Sequence, residues 1–193
     1  MAQPFDVCIR GAGIVGRTLA LLLARERLRV ALVAAPPHPS ATSDVRAYAL
    51  NPASVALLAG LKAWDTLPAD ARTAVHDMNV SGDAPGAAIE FSAFTQSVAV
   101  LAWIVDAAAL EAVLDSAAGF TPLITLQAEP APAPLTVVAE GKASALRDQL
   151  GVSFERHAYG QRAIAARLVS DRPHLGVARQ WFRSPDILAL LPF

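Results

Sequence analysis

With 193 residues, 54% of them apolar and 17% charged, the chain can bury the core of one ordinary domain, or of one domain and part of another. A net charge of −1 excludes the basic footprint of a nucleic-acid binder. Cys8 is the single cysteine, which excludes an internal disulfide, and the four histidines (His38, His76, His157 and His174) lack metal-ligand spacing, so no metal site is expected.

Phe5-Asp6-Val7-Cys8-Ile9-Arg10 is an apolar strand run, followed at once by Gly11-Ala12-Gly13-Ile14-Val15-Gly16. Residues 14–27 read as a helix with Ile14, Leu19, Leu22 and Leu23 on a broad apolar face. A second strand run, Arg29-Val30-Ala31-Leu32-Val33, leads into Ala35-Pro36-Pro37-His38-Pro39-Ser40, a loop whose prolines forbid a helix. Residues 52–61 predict a helix with Asn51 as N-cap, Pro52 at its first position and Gly60 near its end. Residues 78–94 have strand character broken by Gly82-Asp83-Ala84-Pro85-Gly86, a hairpin turn. Residues 106–118 predict a helix with Ala109, Leu110, Val113 and Leu114 on one face and Gly119 as its stop. After an Ala/Pro-rich loop over 128–134 come a short buried strand at 135–139, the dipeptide Glu140-Gly141, and a helical stretch at 144–150. Residues 161–168 and 178–182 suit strands of a second sheet, and 187–191 is a further strand.

No basic region precedes an apolar one at the N-terminus, as a signal peptide requires. The longest apolar stretch, 98–114, contains Asp106 and Glu111, each costing roughly 2.5–3.5 kcal/mol at a bilayer centre. The expectation is a cytoplasmic chain without a transmembrane segment. The chain stops directly after an apolar strand, at Pro192-Phe193, so an incomplete form is expected, with an unfinished sheet able to self-associate.

Strand, glycine turn, helix and strand follow one another within about 30 residues, the context a dinucleotide-binding turn requires. Gly11 permits the tight turn, Gly13 lets backbone approach a pyrophosphate, and Gly16 lets the helix pack close to the strand. Helix N-terminal amides then face the phosphate charge. The acidic residue that grips the ribose at the end of the second strand is missing: that end reads Val33-Ala34-Ala35, and no carboxylate follows until Asp44. At this level the ligand stays open between a flavin dinucleotide and a nicotinamide one, the latter disfavoured by the missing acid.

The later motifs narrow it. Asp44-Val45-Arg46-Ala47-Tyr48-Ala49-Leu50-Asn51-Pro52-Ala53-Ser54, then Trp103-Ile104-Val105-Asp106, then Val137-Val138-Ala139-Glu140-Gly141-Lys142-Ala143-Ser144, resemble in order the flavin-dependent aromatic hydroxylases, in particular their ubiquinone-biosynthesis branch. Tyr159-Gly160-Gln161, Pro173-His174 and residues 178–182 resemble the start of that family's substrate-domain sheet. The resemblance implies an α/β fold, a Rossmann-like three-layer FAD/NAD(P)-binding domain with the beginning of a second, sheet-based substrate domain. It divides the chain into 1–77 and 103–150 for the cofactor and 78–102 and 151–193 for the substrate. It implies an FAD-dependent monooxygenase that uses NAD(P)H and oxygen to hydroxylate a small aromatic substrate, a polyprenyl phenol among the candidates, with peripheral contact to the inner membrane. The alternatives are a non-catalytic FAD-binding fragment and an NAD(P)-dependent dehydrogenase. Cofactor contacts implied by the resemblance are Gly11, Gly13, Gly16, Arg46, Asp106, Glu140 and Gly141; no catalytic residue is assigned. Trp103, Trp181 and Phe182 are candidates for an apolar chamber, although such aromatics more often belong to plain core. Two departures stand out: Glu140 replaces the family's Asp, and Arg10 stands where the family prefers an apolar residue.

Overall fold

The computed structural model describes residues 4–34 and 44–193, so the Pro-rich loop expected over 35–40 lies outside the described residues. The chain begins with β1 (Val7–Arg10), α1 (Ile14–Arg25), β2 (Val30–Val33), β3 (Ala47–Leu50), α2 (Pro52–Gly60) and α3 (Ala63–Thr66). It continues with β4 (Arg72–Val75), β5 (Asp77–Ser81), β6 (Ala88–Ser92), β7 (Ala102–Asp106) and α4 (Ala107–Gly119). The last elements are β8 (Ile124–Gln127), β9 (Leu135–Val138), α5 (Ala145–Gln149), β10 (Val177–Arg183) and β11 (Asp186–Leu190). Two compact units divide them: Met1–Ser43 with Glu111–Ile164, and Asp44–Leu110 with Ala165–Phe193.

The first unit holds a four-stranded sheet in the order β8-β2-β1-β9, parallel throughout. Its central strands are apolar along their length because both faces are covered. Cys8, Ile9, Val30, Ala31 and Leu32 are fully buried, and truncating Ile9 or Leu32 to Ala would cost about 2–5 kcal/mol. α1 packs on β1, β2 and β8 through Gly16, Ala20, Leu21 and Ala24. That face replaces the one expected from Ile14, Leu19, Leu22 and Leu23. The reason is size: small residues at 16, 20 and 24 form one stripe that lets the helix axis approach the sheet, whereas counting leucines favours bulk. β9 corrects a second expectation. Among the described strands it pairs with β1 alone and leaves Leu135 and Val138 exposed, because it is the sheet's edge and not a buried strand.

The second unit has two sheets. One is antiparallel, β3-β7-β4; the other is mixed, β11-β10-β5-β6, with β5 and β10 parallel between two antiparallel hairpins. The first hairpin closes at Gly82, whose N–H donates to the Ala87 carbonyl at 2.7 Å. Val75, Ile104 and Ala178 form a buried cluster against which Met78 and Ala102 pack. Asn51 caps α2 as its sequence predicts: its Oδ1 accepts the Ser54 N–H at 2.8 Å. The strand expected over 161–168 is absent; these residues have no regular structure, and Ile164 and Leu168 stand exposed. An apolar run is only a strand where another strand receives its amides, and no described strand pairs with this one. No described helix is long and apolar enough to cross a membrane.

Candidate functional site

In the first unit the site is made of backbone. β1 ends at Arg10, the chain turns at Gly11 with φ +111°, and α1 begins at Ile14. The Gly11 N–H donates to the Val33 carbonyl at 3.0 Å, which ties the turn to the end of β2. A Cβ on Gly11 would fall on the Ala139 carbonyl, with the Glu140 nitrogen at 2.9 Å. A Cβ on Gly16 would fall on the Gly11 carbonyl oxygen. Both glycines are therefore demanded by the protein's own packing. Gly13 differs: its backbone (φ −76°, ψ −175°) suits any residue, and no described atom lies within 4 Å of where its Cβ would be. Of the three glycines of the turn, Gly13 has no packing reason among the described residues and faces open space at the start of α1, where no described side chain caps the helix amides and no acid sits in the first turn. This is a cradle that a Cβ would fill, with N–H donors and a positive dipole end directed at it, and it fits a pyrophosphate.

The turn after β9 lies beside the glycine turn. The Ala139 N–H donates to the Arg10 carbonyl at 2.7 Å. Gly141 takes φ +73°, which glycine adopts without strain. Glu140 is engaged by both oxygens: Oε1 lies 3.0 Å from Arg10 Nε, and Oε2 accepts the Ser144 hydroxyl at 2.7 Å and the Leu146 N–H at 3.4 Å. The Ser144 hydrogen bond, with the Leu146 amide and Arg10, outweighs burial and holds the Glu140 carboxyl below its usual range. The Arg10 Nε–H is not aligned on the carboxylate, so this contact is an ion pair without a hydrogen bond. Ser144 is itself buried, and its Oγ accepts the Arg147 N–H at 3.1 Å as the N-cap of α5. Arg10, without a role in the sequence, is thereby the partner of Glu140.

In the second unit the expected residues are ionic side chains. Arg46 is paired with Asp44, with Nη2 to Oδ2 at 2.7 Å and Nε to Oδ1 at 2.9 Å. Hydrogen bonds from Arg46 pull the half-buried Asp44 carboxyl down to about 2. Asp106, the last residue of β7, accepts the Ala109 N–H through Oδ1 at 2.9 Å and so caps α4. Its Oδ2 accepts Arg167 Nη2 at 2.8 Å, and the same nitrogen donates to the Asp44 carbonyl at 3.3 Å. Burial pushes the Asp106 carboxyl up, but the Ala109 amide and Arg167 overcome it and hold the group below its usual range. The Arg167 guanidinium lies 4.4 Å from the centre of the Phe193 ring.

Thus Gly11, Gly13, Gly16, Glu140 and Gly141 come together in the first unit, and Arg46 and Asp106 in the second. The functional partners missed in the sequence are Arg167 and Ser144. Arg167 is 61 residues from Asp106 and sits in a run read as strand, so no local signal marks it. Ser144 carried one, a hydroxyl as the first residue of a helical stretch. Trp103 packs edge-on against Trp64 with ring centres 5.3 Å apart, while Trp181 lines an open cavity of about 500 Å³ with Arg183, Ser184, Asp186 and Leu188. Among the described residues, no three or more His, Cys, Asp or Glu side chains are placed to hold a metal.

No protein-family model matches the chain. It is 27% identical over 213 residues to ubiquinone hydroxylase UbiL of Rhodospirillum rubrum, covering 97% of this chain and 49% of that protein. It is 28% identical over 187 residues to 3-demethoxyubiquinol 3-hydroxylase of Escherichia coli, covering 84% of this chain and 48% of that protein. Its fold matches the crystal structure of an HpxO variant of Klebsiella pneumoniae complexed with FAD, with a TM-score of 0.67 and 17% identity over 97% of this chain and 54% of that one. The chain spans about half the length of the curated relatives it matches.

Proposed function

We propose that this chain, a relative of the flavin-dependent aromatic hydroxylases of ubiquinone biosynthesis, binds FAD through the glycine turn of its first unit and serves an aromatic hydroxylation. The observation that carries the reading is Gly13. Gly11 and Gly16 are explained by Ala139 and by each other, but at Gly13 no described atom lies within 4 Å of a Cβ, which leaves room there for a ligand. The start of α1 supplies the donors and the positive end of a dipole for a diphosphate. No acid stands at the end of β2, so the proposal places the weight of recognition on the diphosphate and not on the ribose.

FAD, when bound, would supply the redox and oxygen chemistry, which no side chain of this protein can perform alone. The chain's own part is to hold and orient it. Gly11 and Gly16 set the turn, Gly13 leaves the space, and Gly141 shapes the adjoining turn. Arg46 and Asp106 are included on the strength of the sequence resemblance, Arg46 because a guanidinium fork suits a phosphate. The same proposal keeps the division of the chain into 1–77 and 103–150 for the cofactor and 78–102 and 151–193 for an aromatic substrate, with NAD(P)H as reductant and a prenylated phenol as the finer substrate reading.

The test is direct. The purified protein is titrated with FAD and followed by flavin fluorescence and visible absorbance. Saturable binding to the parent and its loss in a folded Gly13→Val variant are expected. Equal affinity in parent and variant overturns the assignment of the site, and the absence of any flavin binding to the parent overturns the function.

A further inference from the structure

Glu140 and Arg10 are the two departures noted in the sequence, and the structure puts them in contact. We infer that the Arg10–Glu140 ion pair, with buried Ser144, is a positioning clamp that holds the glycine turn and the Gly141 turn in one fixed arrangement for the dinucleotide. The inference rests on the reading of the glycine turn as the cofactor site and assigns these residues a role within it.

Three observations carry it. First, the clamp joins segments whose backbones already touch. The Arg10 carbonyl accepts the Ala139 N–H at 2.7 Å, and Gly11 lies against the Ala139 carbonyl so closely that no side chain fits between. The side-chain pair at 3.0 Å, between Arg10 and the residue after Ala139, closes the same crossing. Second, both Glu140 oxygens are occupied within the protein, by Arg10 on one side and by the Ser144 hydroxyl and Leu146 amide on the other. A carboxylate committed in this way is not offered to a ligand; it ties the exit of β1, the exit of β9 and the start of α5 together. Third, the two charges are matched at an otherwise apolar strand end. Arg10 ends a strand that is otherwise apolar, and its side chain is 28% exposed against 21% for Glu140. Both groups are only partly exposed, so each is the other's nearest counter-charge and removing one leaves the other without it.

The consequence is for binding. A phosphate cradle made of backbone has no side-chain grip, and its affinity depends on how much of the turn's freedom is already lost before the ligand arrives. Gly11 and Gly13 are the residues with most freedom to lose. Bracing the residue directly before Gly11 is the place where restraint does most. The clamp also explains why the longer Glu is accepted at position 140: the extra methylene carries the carboxylate to Arg10, and the two departures offset each other.

Arg10→Val, Glu140→Asp, the double variant and the gentler Glu140→Gln test this. Amide hydrogen exchange at Leu146 and Arg147 in the cofactor-free protein reads the clamp itself, and FAD affinity by fluorescence reads its consequence. Each of the first two single variants should speed exchange and raise the FAD dissociation constant about tenfold, a coupling typical of residues in contact. The double variant should be no worse than the weaker single one. Glu140→Gln keeps an acceptor for Ser144 and should fall between parent and Glu140→Asp. Independent effects, multiplying to about a hundredfold in the double variant, overturn the pairing. Unchanged exchange overturns the clamp. Faster exchange with unaltered FAD affinity overturns its role toward the cofactor and leaves a purely structural brace. If the parent binds no FAD, the proposed function fails, while the exchange data still decide the clamp.

Discussion

The first unit builds its candidate site from what is absent, the second from charge. In the glycine turn, three missing side chains let backbone meet backbone at Gly11 and Gly16 and leave space at Gly13. Around Asp106, two arginines and two aspartates are paired at 2.7–3.3 Å, largely within reach of water. Steric sites are intolerant, because a carbonyl carbon cannot move aside without moving a strand. Exposed ionic sites are tolerant, because water and salt replace a lost partner at small cost.

The largest effect expected from this difference is at Gly16. Gly16→Ala puts a methyl group on the Gly11 carbonyl and should cost about 3 kcal/mol, the upper part of the range for an overfilled site. A denaturant titration measures it, and a loss below about 1 kcal/mol breaks the steric account. Next is Gly13→Val. Stability should fall by only about 1 kcal/mol, the cost of an apolar side chain at a helix N-cap. FAD affinity should nevertheless fall about a hundredfold, some 2.7 kcal/mol. Binding and stability falling in step would mean that Gly13 is structural like its neighbours.

Smaller effects should come from the ionic unit. Arg46→Ala should weaken FAD binding by about 1.5 kcal/mol, the low end for a charge-assisted bond, because Arg46 gives up Asp44 to reach a phosphate. Arg27→Ala, at the exposed left-handed close of α1 (φ +63°), should leave affinity unchanged, and Arg27→Gly should stabilise the protein by about 1 kcal/mol through relief of backbone strain. Equal affinity losses at 46 and 27, read by titration, would remove Arg46 from the site. The smallest effect is in pH. Hydrogen bonds from Arg29 pull the Asp6 carboxyl from 3.8 to about 2, so the folded state binds this proton less readily than the unfolded state. Its stabilisation is fully present above about pH 4 and is lost as pH falls through about 2. Asp6→Asn should flatten that part of the acid unfolding curve, an effect that 1 M salt should shrink because the group is exposed. An acid limb unchanged by the substitution would show that the pair contributes nothing.

Much of the local structure was legible because it depends on neighbours in sequence. Asn51-Pro52 starts α2 through a cap three residues long, Gly82 to Gly86 turns a hairpin, and Gly11 to Gly16 lies between a strand and a helix. The misreadings all concern which surface meets which. The leucine-rich face of α1 lost to a stripe of small residues, 135–139 is an edge, and 161–168 has no described strand to pair with.

The sequence by itself determined the glycine turn, the positions of most elements and the order of the family-like motifs, since propensity, capping and periodicity act within a few residues. It determined the presence of Arg10 and Glu140 but not their meaning. Only the tertiary structure decided that β1 and β9 lie side by side, so that residues 130 positions apart stand 3.0 Å from each other, and that Arg167 reaches back to Asp106. Ion pairs of this range are fixed by strand order and register, and strand order is set by the burial of whole elements, which no short stretch of sequence encodes.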